Sequence, residues 1–150
     1  WYRNTYMSEE GDDEVVDVAI DALGRHQPDF AFVYLGTVDS AGHFYGWMSE
    51  GYLQQAQRVD GQLGRLLAAL PAAAHVLVHA DHGGLERSHG NDTPAEMTIP
   101  WVLAGPQVRQ NYQIAGAVSL LDTAPTLARL LDIPVHPQWE GRCVEEALVG

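Results

Sequence analysis

Apolar residues recur every three to four positions in two long stretches of the chain, and this spacing predicts two amphipathic helices. The first helix is expected to begin at Asp12 or Asp13, either of which can cap it, and to stop at Gly24. The second is expected over residues 49–70, ending before Pro71. The two apolar faces consist of Val15, Val16, Ala19, Ile20 and Leu23, and of Tyr52, Ala56, Val59, Leu63, Leu66, Leu67 and Leu70.

Three runs of mostly apolar residues predict buried strands. The first is continuously apolar, which is typical of a strand buried on both faces, as in a parallel sheet. These runs cover residues 30–35, 75–80 and 99–104. A last helix is expected after Asp122, which can cap it, with Pro125 in its first turn. Its apolar face is formed by Leu127, Leu130 and Leu131.

The segments between these elements are polar or rich in glycine. Residues 36–46 and 83–96 are expected to be irregular, and a short helix is expected over residues 144–148. The order helix, strand, helix, strand, strand, helix predicts an α/β fold with a mostly parallel sheet. Ligands bind beyond the carboxyl ends of the strands in such sheets, so the two irregular segments are where function is expected.

Composition narrows the classes of function. The 150 residues carry a net charge of −12 and no lysine, and a surface this acidic repels the phosphates of nucleic acid. The acidic excess is explained by solubility or, in part, by carboxylates that a metal neutralises. No apolar run is long enough to span a bilayer. The single cysteine, Cys143, excludes an internal disulfide and a cysteine-based zinc site.

Two clusters of metal-ligand residues follow successive predicted strands. Asp39 and His43 bound an Asp-Ser-Ala-Gly-His stretch; Asp81 and His82 open an Asp-His-Gly-Gly stretch, and His89 follows between Ser and Gly. Since each cluster comes after a strand, these side chains are expected to converge on one crevice. Two carboxylates and three imidazoles can hold one metal ion fully and most of a second. This donor set suits zinc or manganese better than calcium or magnesium.

Each of these residues has a simpler explanation when it is taken alone. An Asp after a strand is usually a turn or capping residue, and a histidine in a loop is usually solvated. The joint occurrence of the clusters favours a metal site. Tyr45 and Trp47 either wall a substrate pocket or are buried under the loop. The remaining histidines are expected to lie outside the site: His26, His75, His79 and His136.

The clusters and their surroundings resemble the alkaline phosphatase superfamily, and most closely its type I phosphodiesterase and nucleotide pyrophosphatase branch. The resemblance covers nearly all of the chain beyond the first helix. The stretches that carry it are residues 30–46, 80–84, 88–90, 99–106, 122–128, 131–134 and 139–142.

The resemblance implies a hydrolase of small phosphate esters or nucleotides on a three-layer α/β/α fold. It implies two divalent ions, Zn²⁺ first and Mn²⁺ as the alternative, about 4 Å apart and holding the attacking and leaving oxygens. Carried over position by position, Asp39, His43 and His89 would hold one ion, and Asp81 and His82 the other. The family supplies a further Asp ligand and a Thr or Ser nucleophile from an N-terminal segment.

The chain departs from the family pattern at its start. No apolar strand with a nucleophile precedes the first helix, and Thr5 and Ser8 lie in a polar stretch of a different kind. We therefore expect residues 1–150 to be the C-terminal part of a single catalytic domain and to be inactive by themselves. Such a fragment would expose a sheet edge, through which we expect it to self-associate.

Other functions fit the same residues. The superfamily also implies phosphomonoester hydrolysis, sulfate ester hydrolysis or phosphosugar mutation, which the nucleophile would distinguish. A non-catalytic domain, with or without metal, is the alternative of a different class. The sequence leaves the compartment open.

Overall fold

The computed structural model describes residues 11–149. The chain divides into two compact units, one of residues 11–70 and 82–98 and the other of residues 71–81 and 99–149. Thr5 and Ser8 lie outside the described residues. Within the described range, every helix is too short or too polar to cross a membrane.

The first unit consists of helices. Two of them, α1 and α3, confirm the predicted amphipathic helices. The Ser49 hydroxyl caps α3 by accepting a hydrogen bond from the Tyr52 amide at 3.3 Å. The bounds are α1 Gly11–His26, α2 Thr37–Tyr45, α3 Glu50–Ala68 and the single-turn α4 Pro94–Met97.

Helices α1 and α3 pack against each other through apolar side chains and ion pairs. Val16 of α1 is fully buried, and Leu66 of α3 is buried. An Arg58 nitrogen lies 2.8 Å from an Asp13 oxygen, and Arg65 pairs with Asp17. The other residues of the two predicted apolar faces are half-buried, except Leu67, which is 43% exposed.

The second unit contains a two-stranded sheet. Strand β1, Val76–His79, pairs antiparallel with β2, Trp101–Ala104, so that Val76 faces Ala104. Both strands were predicted, but the mostly parallel sheet is not confirmed, since these two are the only strands within residues 11–149.

Helix α5, Thr123–Leu130, lies between two 3₁₀ turns, Leu120–Asp122 and Glu145–Ala147. It confirms the last predicted helix, and the second turn lies where the short helix was expected. The Thr126 hydroxyl, fully buried, accepts a hydrogen bond from the Val144 amide at 3.0 Å. The buried apolar residues of this unit are Val108, Ala128, Val144, Ala147 and Leu148.

Asp122 occupies the N-cap position of α5, as predicted, but its side chain does not cap the helix. Its carboxylate makes no bond to α5 and instead accepts hydrogen bonds from the Ser119 and Arg142 amides, both at 2.9 Å. The Ser119 hydroxyl in turn accepts from the Leu121 amide, which completes a capping box around the preceding 3₁₀ turn. The buried carboxylate thus joins this turn to the chain at residue 142.

The prediction of a buried strand over residues 30–35 is also not met. The segment is neither helix nor strand, and Phe30 and Phe32 are 54% and 74% exposed. A strand needs a hydrogen-bonded neighbour, and the only strands of the described range pair with each other.

Residues 36–46, expected to be a loop, form α2 instead. The helix has only 9 residues, and its glycine and polar residues are more typical of a loop. Residues 83–96 are irregular as expected until α4 begins at Pro94.

Candidate metal centre

Helix α2 places two of the predicted ligands on one face. Asp39 and His43 are four residues apart, and side chains at that spacing lie one above the other on a helix. His43 Nε2 is 3.5 Å from Asp39 Oδ1. Helix α2, which was not predicted from the sequence, therefore brings these two groups together.

The segment after residue 81 folds back to bring His82 and His89 together. Leu85 and Ser88 exchange two backbone hydrogen bonds of 3.0 Å, which close the turn between the two histidines. The two imidazole rings then stack, with centroids 3.7 Å apart and planes inclined by 19°.

The carboxylate of Asp39 lies where the three imidazoles converge. Its Oδ1 is 3.4 Å from His89 Nε2 and 3.8 Å from His82 Nε2, and one donor atom each from Asp39, His82 and His89 lie within 4.8 Å of one another. His43 Nε2 is 3.2 Å from His89 Nε2. The predicted convergence of these four residues is present in the first unit.

Backbone carbonyls fix the orientation of two of the rings. His43 Nδ1 lies 2.9 Å from the Arg87 carbonyl oxygen, and His82 Nδ1 lies 2.8 Å from that of Gly83. Because a carbonyl oxygen only accepts, Nδ1 donates in both rings. In the neutral imidazole, Nε2 then carries the lone pair and faces the cluster, as in histidines that bind metal.

The donor atoms of Asp39, His82 and His89 fit a divalent cation, and His43 lies beside them. Asp39 Oδ1 is buried and receives no hydrogen bond from any residue in the described range. An unpaired buried carboxylate oxygen is costly, and the Nε2 lone pairs of His43 and His82 add no donor to satisfy it. A cation satisfies the oxygen and the nitrogens together, and an oxygen–nitrogen donor set is the kind that zinc accepts.

Trp47 packs against the imidazoles. Its ring meets those of His43 and His89 edge-on, with centroids 5.1 and 5.8 Å away. The ring lies over two glycines, since a Cβ added at Gly42 or Gly84 would come within 2.7 or 2.1 Å of it. Of the two roles left open for Trp47, the structure shows packing against the cluster.

Burial and the negative charge of Asp39 both affect the pKa of Tyr52 in α3. Burial of the Tyr52 ring, and secondly the negative charge of Asp39, raise the pKa of its phenol above the ordinary value. Tyr52 therefore stays protonated beside the cluster at neutral pH.

Asp81 belongs to the second unit, whereas the four clustered residues belong to the first. Its role as a ligand stays a prediction. Among the histidines expected to lie outside the site, His79 has a backbone partner, since its Nδ1 lies 2.8 Å from the Ala80 carbonyl oxygen.

A second buried carboxylate near the site was missed in the sequence. Glu96 accepts hydrogen bonds from Thr93 at 2.7 Å and Asn91 at 3.0 Å. These bonds, with a smaller contribution from His89, hold the pKa of Glu96 below its usual range. The Thr93-x-x-Glu96 spacing, a capping-box pattern, is the signal that could have revealed it.

Comparison with known proteins agrees with this site. The sequence matches the type I phosphodiesterase / nucleotide pyrophosphatase family over residues 2–97, which include all four clustered residues and Asp81. The chain belongs to this family, and thereby to the alkaline phosphatase superfamily.

Among similar curated proteins are enzymes named 2,3-bisphosphoglycerate-independent phosphoglycerate mutase, of the same superfamily. The protein from Synechococcus sp. (strain JA-2-3B'a(2-13)) is 33% identical over an alignment of 141 positions, which covers 86% of this chain and 26% of that protein. The one from Natronomonas pharaonis is 30% identical over an alignment of 139 positions, which covers 89% of this chain and 27% of the relative. The chain thus spans about a quarter of the length of the curated relatives it matches.

Proposed function

We propose that the protein containing this chain is a metal-dependent phosphoryl-transfer enzyme that hydrolyses phosphate esters, of the phosphodiesterase or nucleotide pyrophosphatase type. The observation that carries the proposal is the buried Asp39 Oδ1, which has no hydrogen-bond donor in the described range and lies 3.4–3.8 Å from three imidazole nitrogens. Family membership supplies the phosphoryl chemistry.

In this proposal Asp39, His43 and His89 hold one divalent ion, and His82 with Asp81 contributes to a second. Divalent ions at such a site neutralise charge on phosphoryl oxygens and lower the pKa of bound water. One carboxylate and two backbone carbonyls of this chain give the site its charge and orient its imidazoles. The Asp39 carboxylate supplies negative charge, and the carbonyls of Arg87 and Gly83 keep His43 and His82 turned toward it. Zn²⁺ is the first expectation and Mn²⁺ the second.

The proposal includes the domain organisation expected from the sequence. Residues 1–150 would be the C-terminal part of one catalytic domain, and the Thr or Ser nucleophile would come from residues outside them. Two findings support this: the match covers about a quarter of the relatives, and Phe30 and Phe32 are exposed in a run typical of a buried strand. The chain alone would then be inactive, and its exposed apolar surface would favour self-association.

A phosphosugar mutase is the second candidate. It is favoured by the curated relatives, which are named as phosphoglycerate mutases at 30% and 33% identity. The cluster of Asp39 and the three histidines suits both reactions, because each transfers a phosphoryl group. The two candidates differ in the acceptor of that group, which is water in the hydrolase and a sugar-acid hydroxyl in the mutase.

A substrate panel on the full-length protein tests the proposal. We expect hydrolysis of bis(para-nitrophenyl) phosphate and of a nucleotide para-nitrophenyl ester, with slower turnover of para-nitrophenyl phosphate and sulfate. Asp39→Ala or His82→Ala should lower the rate at least about 100-fold, since loss of outer partners alone costs about 10- to 100-fold.

The matched control for this panel is His26→Gln, which changes an exposed histidine at the end of α1. It should turn over like the wild type. Phosphoglycerate mutase activity without diester hydrolysis would select the second candidate. Activity that survives both site substitutions would remove these residues from the site.

A further inference from the structure

The carboxylate of Asp12 is buried, with 2% of the residue exposed, although it lies in the first turn of α1. It does not cap its own helix, as the sequence suggested it could. Its two oxygens instead accept hydrogen bonds from the beginning of α2. The donors are the Gly36 amide at 3.0 Å, the Thr37 amide at 3.1 Å and the Thr37 hydroxyl at 2.5 Å.

Helix α2 has no cap of its own. Gly36 occupies its N-cap position and has no side chain that could accept from the first amides. Asp12 replaces that cap from another helix, and its negative charge lies at the end of α2 where the helix dipole favours an anion. The bonds are charge-assisted and buried, which makes them stronger than those at an exposed cap.

Helix α3 completes the same arrangement. Gln55 donates from Nε2 to the Thr37 hydroxyl oxygen at 2.7 Å, while the hydroxyl proton goes to Asp12. Thr37 is itself buried, with 4% exposed. One side chain from each of three helices therefore meets at the first residue of α2.

We propose, on the basis of the metal-dependent function above, that Asp12 is a positioning residue for the metal site. Asp39 follows Thr37 by two positions, and His43 lies one turn further along α2. A helix advances about 100° per residue, so a rotation or fraying at Thr37 moves Asp39 directly. Asp12 sets the rotation of α2 and thereby presents both side chains to His82 and His89.

The test compares Asp12→Asn with Asp13→Asn in the full-length protein. The asparagine keeps the size of the side chain but places an amide donor against one of the donors of α2. Asp13 is the matched control because it is the next residue in α1 and pairs with Arg58 of α3 instead. Thermal unfolding of each variant establishes that it is folded.

The first readout is titration with Co²⁺ alone, followed through its visible absorption spectrum. We expect Asp12→Asn to weaken Co²⁺ binding at least about tenfold and to alter the spectrum, as changes in the groups that orient ligands do. Asp13→Asn should bind like the wild type. If Asp12→Asn unfolds, Thr37→Val is the milder variant, because it removes, of the hydrogen bonds that Asp12 accepts, only that from the Thr37 hydroxyl. Thr37→Ser keeps the hydroxyl and should restore Co²⁺ binding.

The second readout needs no metal. Ring resonances of His43 and His89, and nuclear Overhauser contacts between His43 and Trp47, report the position of α2 in the metal-free protein. We expect them to change in Asp12→Asn and not in Asp13→Asn. Unchanged contacts, or unchanged Co²⁺ affinity in a folded Asp12→Asn, would overturn the positioning role. Failure of the wild type to bind Co²⁺ would contradict the proposed function instead, and the ring contacts would still decide the role of Asp12.

Discussion

The main evidence for a metal site comes from one atom, Oδ1 of Asp39. This atom is buried without a donor in the described range, and the only other buried side-chain atom there without a partner is His75 Nε2. The buried Asp12 and Thr37, by contrast, are paired with each other. Buried polar atoms without partners are rare in native proteins and call for an explanation. The cation that we propose for this site would satisfy the Asp39 oxygen together with the imidazole nitrogens around it.

Gly84 shows how closely the surroundings of this cluster are packed. A Cβ at Gly84 would come within 2.1 Å of the Trp47 ring, whereas one at Gly64, in the exposed middle of α3, would meet nothing within 4 Å. We predict that Gly84→Ala lowers the free energy of unfolding by roughly 1–3 kcal/mol, because overpacking must displace Trp47.

The control for this prediction is Gly64→Ala, which should raise the free energy of unfolding by up to about 1 kcal/mol through helix propensity. Urea unfolding of the metal-free protein measures both changes. Equal stability of Gly84→Ala and the wild type would mean that Trp47 does not occupy the position described.

At the scale of elements, α3 and α2 show what the sequence could predict. α3 has 19 residues, a capping serine before it and a proline shortly after it, so several local signals agree. α2 has 9 residues and begins behind a glycine, and its cap is supplied by Asp12 from 24 residues away. A cap that comes from another helix leaves no local signal, which is why α2 was predicted as a loop.

The candidate ligands were easier to predict than the elements that carry them. Asp39, His43, His82 and His89 were chosen by residue type and by neighbouring glycines, and they converge although the element carrying the first two was taken for a loop. Residues 30–35 were harder, because burial on both faces depends on neighbours in space. The contacts of Asp12 were missed because its partners Gly36 and Thr37 are brought to it by tertiary packing. Glu96 was missed although its partners Thr93 and Asn91 are local in the sequence.

The ion pair between Arg142 and Glu146, a residue of the last 3₁₀ turn, predicts how stability depends on pH. Arg142 holds Glu146 through two hydrogen bonds of 2.8 and 2.9 Å, and these lower the pKa of Glu146 from 4.5 to about 2. A carboxyl with a depressed folded-state pKa stabilises the fold above its unfolded pKa, and this contribution is lost as the pH falls through the folded value.

Glu146→Gln should therefore lower stability at pH 7, and the difference from the wild type should shrink between pH 4.5 and pH 2. Glu140→Gln is the control, since Glu140 has no ion pair or hydrogen bond in the described part of the chain. Urea unfolding at a series of pH values measures both variants. A Glu146→Gln deficit that is constant with pH would contradict the assigned ion pair.

At the scale of the whole molecule, the central claim is that the chain contributes one assembled half of a metal-dependent phosphoryl-transfer site. Four of the five predicted ligands meet within one unit, and the family match covers all five. The length of the curated relatives, about four times the matched stretch, leaves room for a nucleophile and further ligands elsewhere in the full-length protein.

The most direct test of this claim is a calorimetric titration of the chelator-treated full-length protein with Zn²⁺, repeated with Mn²⁺. We predict tight binding that Asp39→Asn and His89→Gln each weaken at least about tenfold, with His26→Gln binding like the wild type. Absence of binding, or binding that is the same in all three variants, would contradict the account, because the buried oxygen of Asp39 would then have no cation to explain it.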